Sequence, residues 1–349
     1  MADVALTYTT ALRRLPSLDG IRGIAILLVM ASHAEMAGAA MPREWIVRLG
    51  DFGVKLFFVL SGFLITALLL QEQARTGRIA YARFLLRRAF RILPASYAFI
   101  LSVIAASALG LITLRPGDAL HALTYTADIG MRSWWVGHLW SLSIEEQYYL
   151  VWPLVLGFIR HRLGASLMFG TMIVAALGRG VVLTWYPALA EGIDRSFIAA
   201  IDGFAAGGLL ATLQQQLEGC EWYSRMLRAP WVPALLILAG FLDQLERHPL
   251  VFYVVLQSVI YGLLAIWLHR SQVVTSDRLT RILNSRMLSW MGVISYSLYL
   301  WQQPFLAPAD SRLVQSLPAA VALSLLFAVL SYQLVERPFL RLRERVVSS

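Results

Sequence analysis

Ten apolar stretches, each near the length a helix needs to cross a bilayer, follow one another through this chain, with short charged clusters between them. They lie at 20–40, 54–71, 92–114, 147–160, 165–185, 197–214, 230–243, 250–268, 287–305 and 316–336, the fourth and seventh being short. A membrane helix takes about 20 consecutive apolar residues. The composition agrees: 58% of the chain is hydrophobic, against about 45–50% in soluble domains, and the mean hydropathy is +0.64. The expected fold is an all-α polytopic membrane protein of about ten transmembrane helices. It forms one transmembrane domain over 1–349, with a short polar segment at 1–17 and a short tail at 338–349.

The charge pattern gives an orientation. With the N-terminus in the cytoplasm, twenty basic residues fall on inside segments and eight on outside ones, while Arg22 and Arg179 lie within spans. The inside clusters include Arg13, Arg14, Arg160 and Arg162, and the outside set includes Arg43, Lys55, Arg247 and Arg312. This asymmetry predicts an even number of helices with both termini cytoplasmic, because Lys and Arg collect on the cytoplasmic side. It also accounts for the net charge of +9 without a nucleic-acid partner. One cysteine, Cys220, excludes an intramolecular disulfide and a multi-cysteine metal site. The first seventeen residues are polar, and the first apolar run lacks a small-residue cleavage pattern, so it reads as a retained helix rather than a signal peptide. No internal repeat stands out, and the short tail leaves no expectation of a fused soluble catalytic domain.

Ionisable residues at mid-membrane cost about 2.5–3.5 kcal/mol each on insertion scales, so those present call for a reason. The first stretch holds Arg22 and His33. Eleven residues apart at about 100° per residue, they fall nearly in line on one helix face, about 16 Å apart along the axis. A fixed positive charge near the cytoplasm and an imidazole farther along suit a ligand with an anionic end and a reactive group deeper in. Such a histidine acts as a general base or as an acyl carrier; the bland reading is a satisfied polar residue and an anchor. Arg87-Arg88-Ala89-Phe90-Arg91 suits phosphate binding by guanidinium forks, or anchoring to anionic lipid.

In Trp140-Ser141-Leu142-Ser143-Ile144-Glu145-Glu146-Gln147-Tyr148-Tyr149, Ser143 and Glu146 read as a capping box. Glu145, at a helix mouth, could orient His33, bind acceptor hydroxyls or face solvent. The aromatic run Ser133-Trp134-Trp135-Val136-Gly137-His138 reads as an interfacial belt or as a sugar-stacking platform. Arg179 and Asp202, on successive spans, most simply pair with each other. Ser61-Gly62, like Gly203, Gly207 and Gly208, allows close approach by a helix or an acyl chain. Tyr296, Tyr299, Trp301, Gln302 and Gln303 bring several polar tips into one late span, either lining a cavity or bonding between helices.

These blocks resemble, in order from residue 18 to 340, the motifs of the membrane-bound acyltransferase-3 family. Leu18-Asp19-Gly20-Ile21-Arg22-Gly23 through His33 resembles its Arg–ten residues–His motif, and Gly53 to Ile65 its second-helix signature. Arg88-Ala89-Phe90-Arg91 is similar to its Arg–two residues–Arg motif, and His138 to Tyr149 to its fourth-helix block. Ile294 to Trp301 and Val335-Glu336-Arg337-Pro338 resemble its last two blocks. Family members often carry a histidine where this chain has Gln302. Any role of that histidine does not transfer, and the departure is expected to leave the Arg22–His33 pair untouched.

The resemblance implies transfer of an acyl group, often acetyl, from cytoplasmic acyl-CoA to a hydroxyl of a sugar or sugar-containing product. It implies residence in the bacterial cytoplasmic membrane. The expected partners are acyl-CoA, a carbohydrate acceptor and the lipid bilayer; a homo-oligomer stays open, and no permanently bound cofactor or metal is expected. His33 is the expected catalytic residue, with Glu145 and Glu146. Arg22, Arg88, Arg91, Ser61 and Gly62 are expected at the donor, and Trp140, Tyr148 and Tyr296 at the acceptor. The rival readings are an exporter of a glycan intermediate and an inactive scaffold. Internal symmetry would favour the exporter, and the intact set of Arg22, His33, Arg88 and Arg91 argues against the scaffold.

Overall fold

The computed structural model describes residues 16–37, 43–130, 132–158, 164–190, 192–245, 248–308 and 313–347. The segment 1–15 with Arg13 and Arg14, and the loop arginines Arg160, Arg162, Arg247 and Arg312, lie outside the described residues. Among the described residues every regular element is a helix. The longer helices are α1 (Pro16–Met36), α2 (Arg43–Thr76), α3 (Tyr81–Ala108), α4 (Leu139–Phe158), α5 (Gly164–Trp185) and α6 (Phe197–Glu218). They continue as α7 (Ala234–Asp243), α8 (Gln257–Val273), α9 (Arg286–Phe305), α10 (Leu317–Ser331) and α11 (Arg337–Val347).

Among the described residues, seven helices are long and apolar enough to cross a membrane. They are α1, α2 from Arg48, α3, α5, α6, α8 with the turns leading in from Pro249, and α10 running on to Val346. The three other stretches read from the sequence are helical but fall short for identifiable reasons. α7 has only 10 residues. α4 and α9 each have 20 residues, but Ser, Gln and two glutamates lower the hydropathy of the first, and three serines, two glutamines and Arg286 that of the second. The polar residues that lower their hydropathy are the ones that build the candidate site.

The chain divides into two compact units, one of residues 1–25, 51–79 and 151–292 and the other of 26–50, 80–150 and 293–349. In the first, α2 and α6 cross at glycines. A Cβ on Gly62 would come within 2.1 Å of the Phe204 carbonyl oxygen, and one on Gly207 within 2.1 Å of that of Val59. The glycines therefore let two backbones touch, as small residues do in membrane bundles. The occupant beside Gly62 is a helix, so packing accounts for this glycine without an acyl chain. Gly207→Leu is expected to lower stability by at least about 1–3 kcal/mol through overpacking. An unchanged thermal midpoint in nanodiscs would contradict the crossing.

The expected pairing of Arg179 with Asp202 is present between α5 and α6: Arg179 Nη2 donates to Asp202 Oδ2 at 2.8 Å, and both side chains are wholly buried. The same carboxylate oxygen accepts from Ser258 Oγ of α8 at 2.8 Å. Just ahead of α8 the chain widens into a π-turn over Phe252–Leu256, and there the Tyr253 carbonyl accepts from Arg179 Nε at 2.5 Å. A π-turn breaks the regular helical hydrogen-bond ladder, and here a carbonyl of that turn serves the buried guanidinium. A second buried pair joins Lys55 of α2 to Asp243 of α7 at 2.7 Å; the charge count alone placed Lys55 in an outside loop.

The second unit holds the later part of α1, α3, the start of α4, the later part of α9, α10 and α11. Short helices at Asp118–Leu123 and Trp134–Gly137 lie between α3 and α4. The expected capping box at Ser143 is not formed, because α4 begins four residues earlier, at Leu139. Ser143 Oγ instead donates back to the Leu139 carbonyl at 3.0 Å and accepts from the Ala127 amide at 3.0 Å. An interior serine bonding to the i−4 carbonyl is the alternative this residue type always carries.

Candidate active site

Helix α1 presents His33 in the second unit, partly buried. Its Nδ1 lies 2.6 Å from Oε1 of Gln302 on α9, a side chain with 0% exposure. Gln302 therefore bears directly on His33, against the expectation that this departure from the family pattern would leave the pair untouched. The sequence showed that the position differs; it could not show which helix faces α1 there. The next residue, Gln303, holds a second neighbour of His33. Trp134 Nε1 donates to the Gln303 carbonyl at 2.8 Å, and the Gln303 amide donates to the Trp134 carbonyl. The Trp134 ring so fixed meets the imidazole edge-on, with centroids 5.2 Å apart and planes at 69°. Trp134 thus faces inward against His33, and a lipid belt alone does not describe the aromatic run.

A second histidine sits close enough for its titration to feel the His33 charge. His138 is buried, donates from Nε2 to the Leu300 carbonyl at 3.2 Å, and has no hydrogen-bond partner at Nδ1. Burial foremost, with the charge of His33 adding to it, pushes this imidazole down to about 3, so it stays neutral. Phe99 and Tyr299 pack its ring at 5.3 and 5.5 Å. Tyr299 in turn donates to the His138 carbonyl at 2.9 Å and shares a hydrogen bond with Ser141 Oγ at 2.6 Å. The polar tips of Tyr296, Tyr299, Gln302 and Gln303 thus bond within this unit, while the buried Trp301 Nε1 has no hydrogen-bond partner.

The acidic and basic candidates form a second group. The Arg88 guanidinium of α3 lies over the Tyr149 ring of α4 at 5.1 Å and that of Phe84 at 5.7 Å. Such stacking holds a guanidinium plane in place. The charges of Arg88 and Glu145 both act on Glu146, which places α3 and the start of α4 together. Arg91, one turn along α3, acts with Arg87 on Arg343 of α11, and Phe90 meets Phe339 of α11 at 6.4 Å. The chain after 337 is therefore a basic helix packed against the arginines of α3, where the sequence indicated only a tail. Tyr296 spends its hydroxyl on the Ile92 carbonyl at 2.9 Å. Tyr148 is buried beside Tyr149, with ring centroids 6.2 Å apart, and Trp140 is partly buried. In the first unit Arg22 pairs with Asp19 at 3.2 Å, one turn back on α1.

Reasoning from sequence missed Gln302, Gln303 and Trp134 as the surroundings of His33, and Arg343 as a companion of Arg91. Gln302 carried a signal beforehand as a departure from the family pattern, Gln303 as one of the polar tips of its span and Trp134 as part of the aromatic run, but none of these signals pointed to His33.

Comparison with known proteins points to the same family as the motifs. The chain is 28% identical to O-acetyltransferase OatA of Staphylococcus aureus (strain NCTC 8325 / PS 47), over 93% of this chain and 57% of the relative. It is 28% identical to the putative O-acetyltransferase SACOL0978 of Staphylococcus aureus (strain COL), over 94% of this chain and 58% of that protein. The chain thus spans just over half the length of these relatives. No solved structure matches it. The family description "Acyltransferase domain" matches residues 15–335. With the Arg–ten residues–His helix, the arginine pair and the α4 and α9 blocks lying inside that range, the chain belongs to the acyltransferase-3 family.

Proposed function

We propose that the chain is an integral membrane O-acyltransferase that moves an acyl group, acetyl first of all, from cytoplasmic acyl-CoA to a hydroxyl of a carbohydrate. The O-acetyltransferase names of the relatives support the reaction class and the acetyl group. The observation that carries the reading is the His33–Gln302 hydrogen bond. It holds an imidazole in one ring orientation at the position the family motif marks. On this reading α4, α7 and α9 complete ten spans in the bacterial cytoplasmic membrane, with both termini in the cytoplasm.

In the reaction, His33 takes the proton of the acceptor hydroxyl, and the oxygen attacks the thioester carbonyl carbon. The C–S bond breaks, the CoA thiolate takes the proton back from the imidazolium, and an ester and a free thiol leave. General acid–base catalysis of this kind contributes about 10²–10⁴-fold. Arg88 and Arg91 bind the phosphates of the donor, and Glu145 and Glu146 with Trp140 and Tyr148 face the acceptor.

Arg88→Ala is expected to raise the donor KM by about 10- to 100-fold, the value of a charge-assisted hydrogen bond of about 1.5–3 kcal/mol, and to change kcat little. Steady-state kinetics in nanodiscs with acetyl-CoA checks this; an unchanged KM removes Arg88 from the donor site. Release of CoA thiol that depends on added glycan separates the enzyme from an exporter, which moves its substrate without forming an ester.

A further inference from the structure

The imidazole of His33 has two tautomers, and only one places the reactive lone pair on Nε2. We infer that Gln302 is the positioning residue that selects that tautomer and fixes the ring plane of His33, an inference that rests on the acyl-transfer reading above. The argument starts from the amide. Gln302 Nε2 points to the Tyr299 carbonyl, a long contact of 3.5 Å. A carbonyl only accepts, so the NH₂ end faces Tyr299 and the oxygen end faces α1. That oxygen is the atom 2.6 Å from His33 Nδ1. Two acceptors do not bond each other, so Nδ1 carries the hydrogen and donates, and the lone pair lies on Nε2.

Gln302 is itself held. Its side chain has no exposure, and its neighbour Gln303 is tied to Trp134 by two reciprocal bonds. One stretch of α9 thus fixes the plane of the imidazole and the indole beside it. The role resembles that of the carboxylate in a nucleophile–histidine–acid triad, which sets tautomer and orientation, with one difference. An amide is neutral, so it orients the ring without stabilising the imidazolium as a carboxylate would. A neutral orienter suits a base that must return its proton to the leaving thiolate. Two other ionisable groups lie nearby on elements of this unit. His138 feels the charge of His33 and stays neutral, so it adds no charge of its own. Glu35 lies two residues along α1 and is buried, with one carboxylate oxygen lacking a partner.

The test uses the full-length protein in nanodiscs and three variants, Gln302→Leu, Gln302→Glu and His33→Asn. ¹⁵N spectra of histidine-labelled protein read the tautomer directly, with or without activity, and His33→Asn assigns the signal. The expected wild-type form has Nδ1 protonated and Nε2 bare, and Gln302→Leu gives a mixture of tautomers. The kinetic counterpart is a fall in kcat of about 10- to 100-fold in Gln302→Leu with KM within about twofold, since the loss falls on the transition state. In Gln302→Glu, kcat recovers, and the acid limb of the pH–rate profile moves up by about one to three units, as an opposite charge beside an imidazole dictates. A wild-type His33 protonated on Nε2, or a tautomer and pH limb unchanged in both variants, overturns the role of Gln302. A wild type with the expected tautomer but no acyl transfer overturns the proposed function while leaving the positioning intact.

Discussion

Replacing His33 by alanine is expected to reduce acyl transfer by about two to four orders of magnitude, the range a positioned general base contributes. Yield, membrane insertion and thermal midpoint should stay near those of the wild type. The imidazole is partly buried, at the end of a helix whose packing rests on apolar neighbours such as Ile26, Val29 and Met30. Its loss frees Gln302 Oε1, an acceptor that a water molecule can satisfy. The chemical effect therefore exceeds the structural one, and the two separate experimentally. Initial rates at saturating acetyl-CoA, normalised to folded protein, read the first; scanning fluorimetry reads the second. If an acyl-imidazole is trapped by rapid quench, His33 acts as a carrier rather than a base, and the step proposed above is replaced. If the variant keeps its full rate, His33 has no part in the chemistry.

Arg179→Ala and Asp202→Ala are expected to be the most destabilising substitutions, by about 3–5 kcal/mol each, because either one leaves a buried charge without its partner. The environment makes this severe. Both side chains are fully buried between apolar helices. The guanidinium spends Nε on Tyr253, Nη1 on Ile198 (3.1 Å) and Nη2 on Asp202 and Ser258 (3.2 Å for the serine). Removing Asp202 cancels one charge and leaves the other with two carbonyls and the Ser258 hydroxyl, none of them charged. Replacing both at once, as in Arg179→Met with Asp202→Leu, removes the desolvation cost together with the attraction, so the double variant should recover much of the loss. Reversible unfolding of the purified single and double variants forms the cycle. Additive losses, with the double variant as weak as the sum, would show that the two residues act independently.

Much of the bundle was legible because membrane helices are dictated by length and hydropathy, which a sequence displays directly. The pairing of Arg179 with Asp202 was legible for the same reason: two charges in hydrocarbon have few ways to be satisfied. Three features were not. Ser143 looked like a cap because Glu146 follows at the right spacing, but a helix start depends on what precedes it, and α4 begins at Leu139. Lys55 looked like a loop charge, yet it reaches Asp243 almost two hundred residues away, and nothing local in either segment announces the other. The surroundings of His33 were hidden in the same way. His33 and Gln302 are 269 positions apart, and the contact exists only because α9 comes back against α1 in the fold. The family motifs pointed to His33 and were silent on what holds it, since the position that does so is one where this chain departs from the common pattern.

The most direct measurement is transfer of an isotopically labelled acetyl group from acetyl-CoA to a panel of cell-envelope glycans by the purified protein in nanodiscs, with the product followed by mass spectrometry. The account predicts a labelled, alkali-labile ester on a sugar hydroxyl, formed by the wild type and lost in His33→Ala. Labelled donor consumed at the same rate by both proteins, or glycan crossing the bilayer with no ester formed, would contradict it.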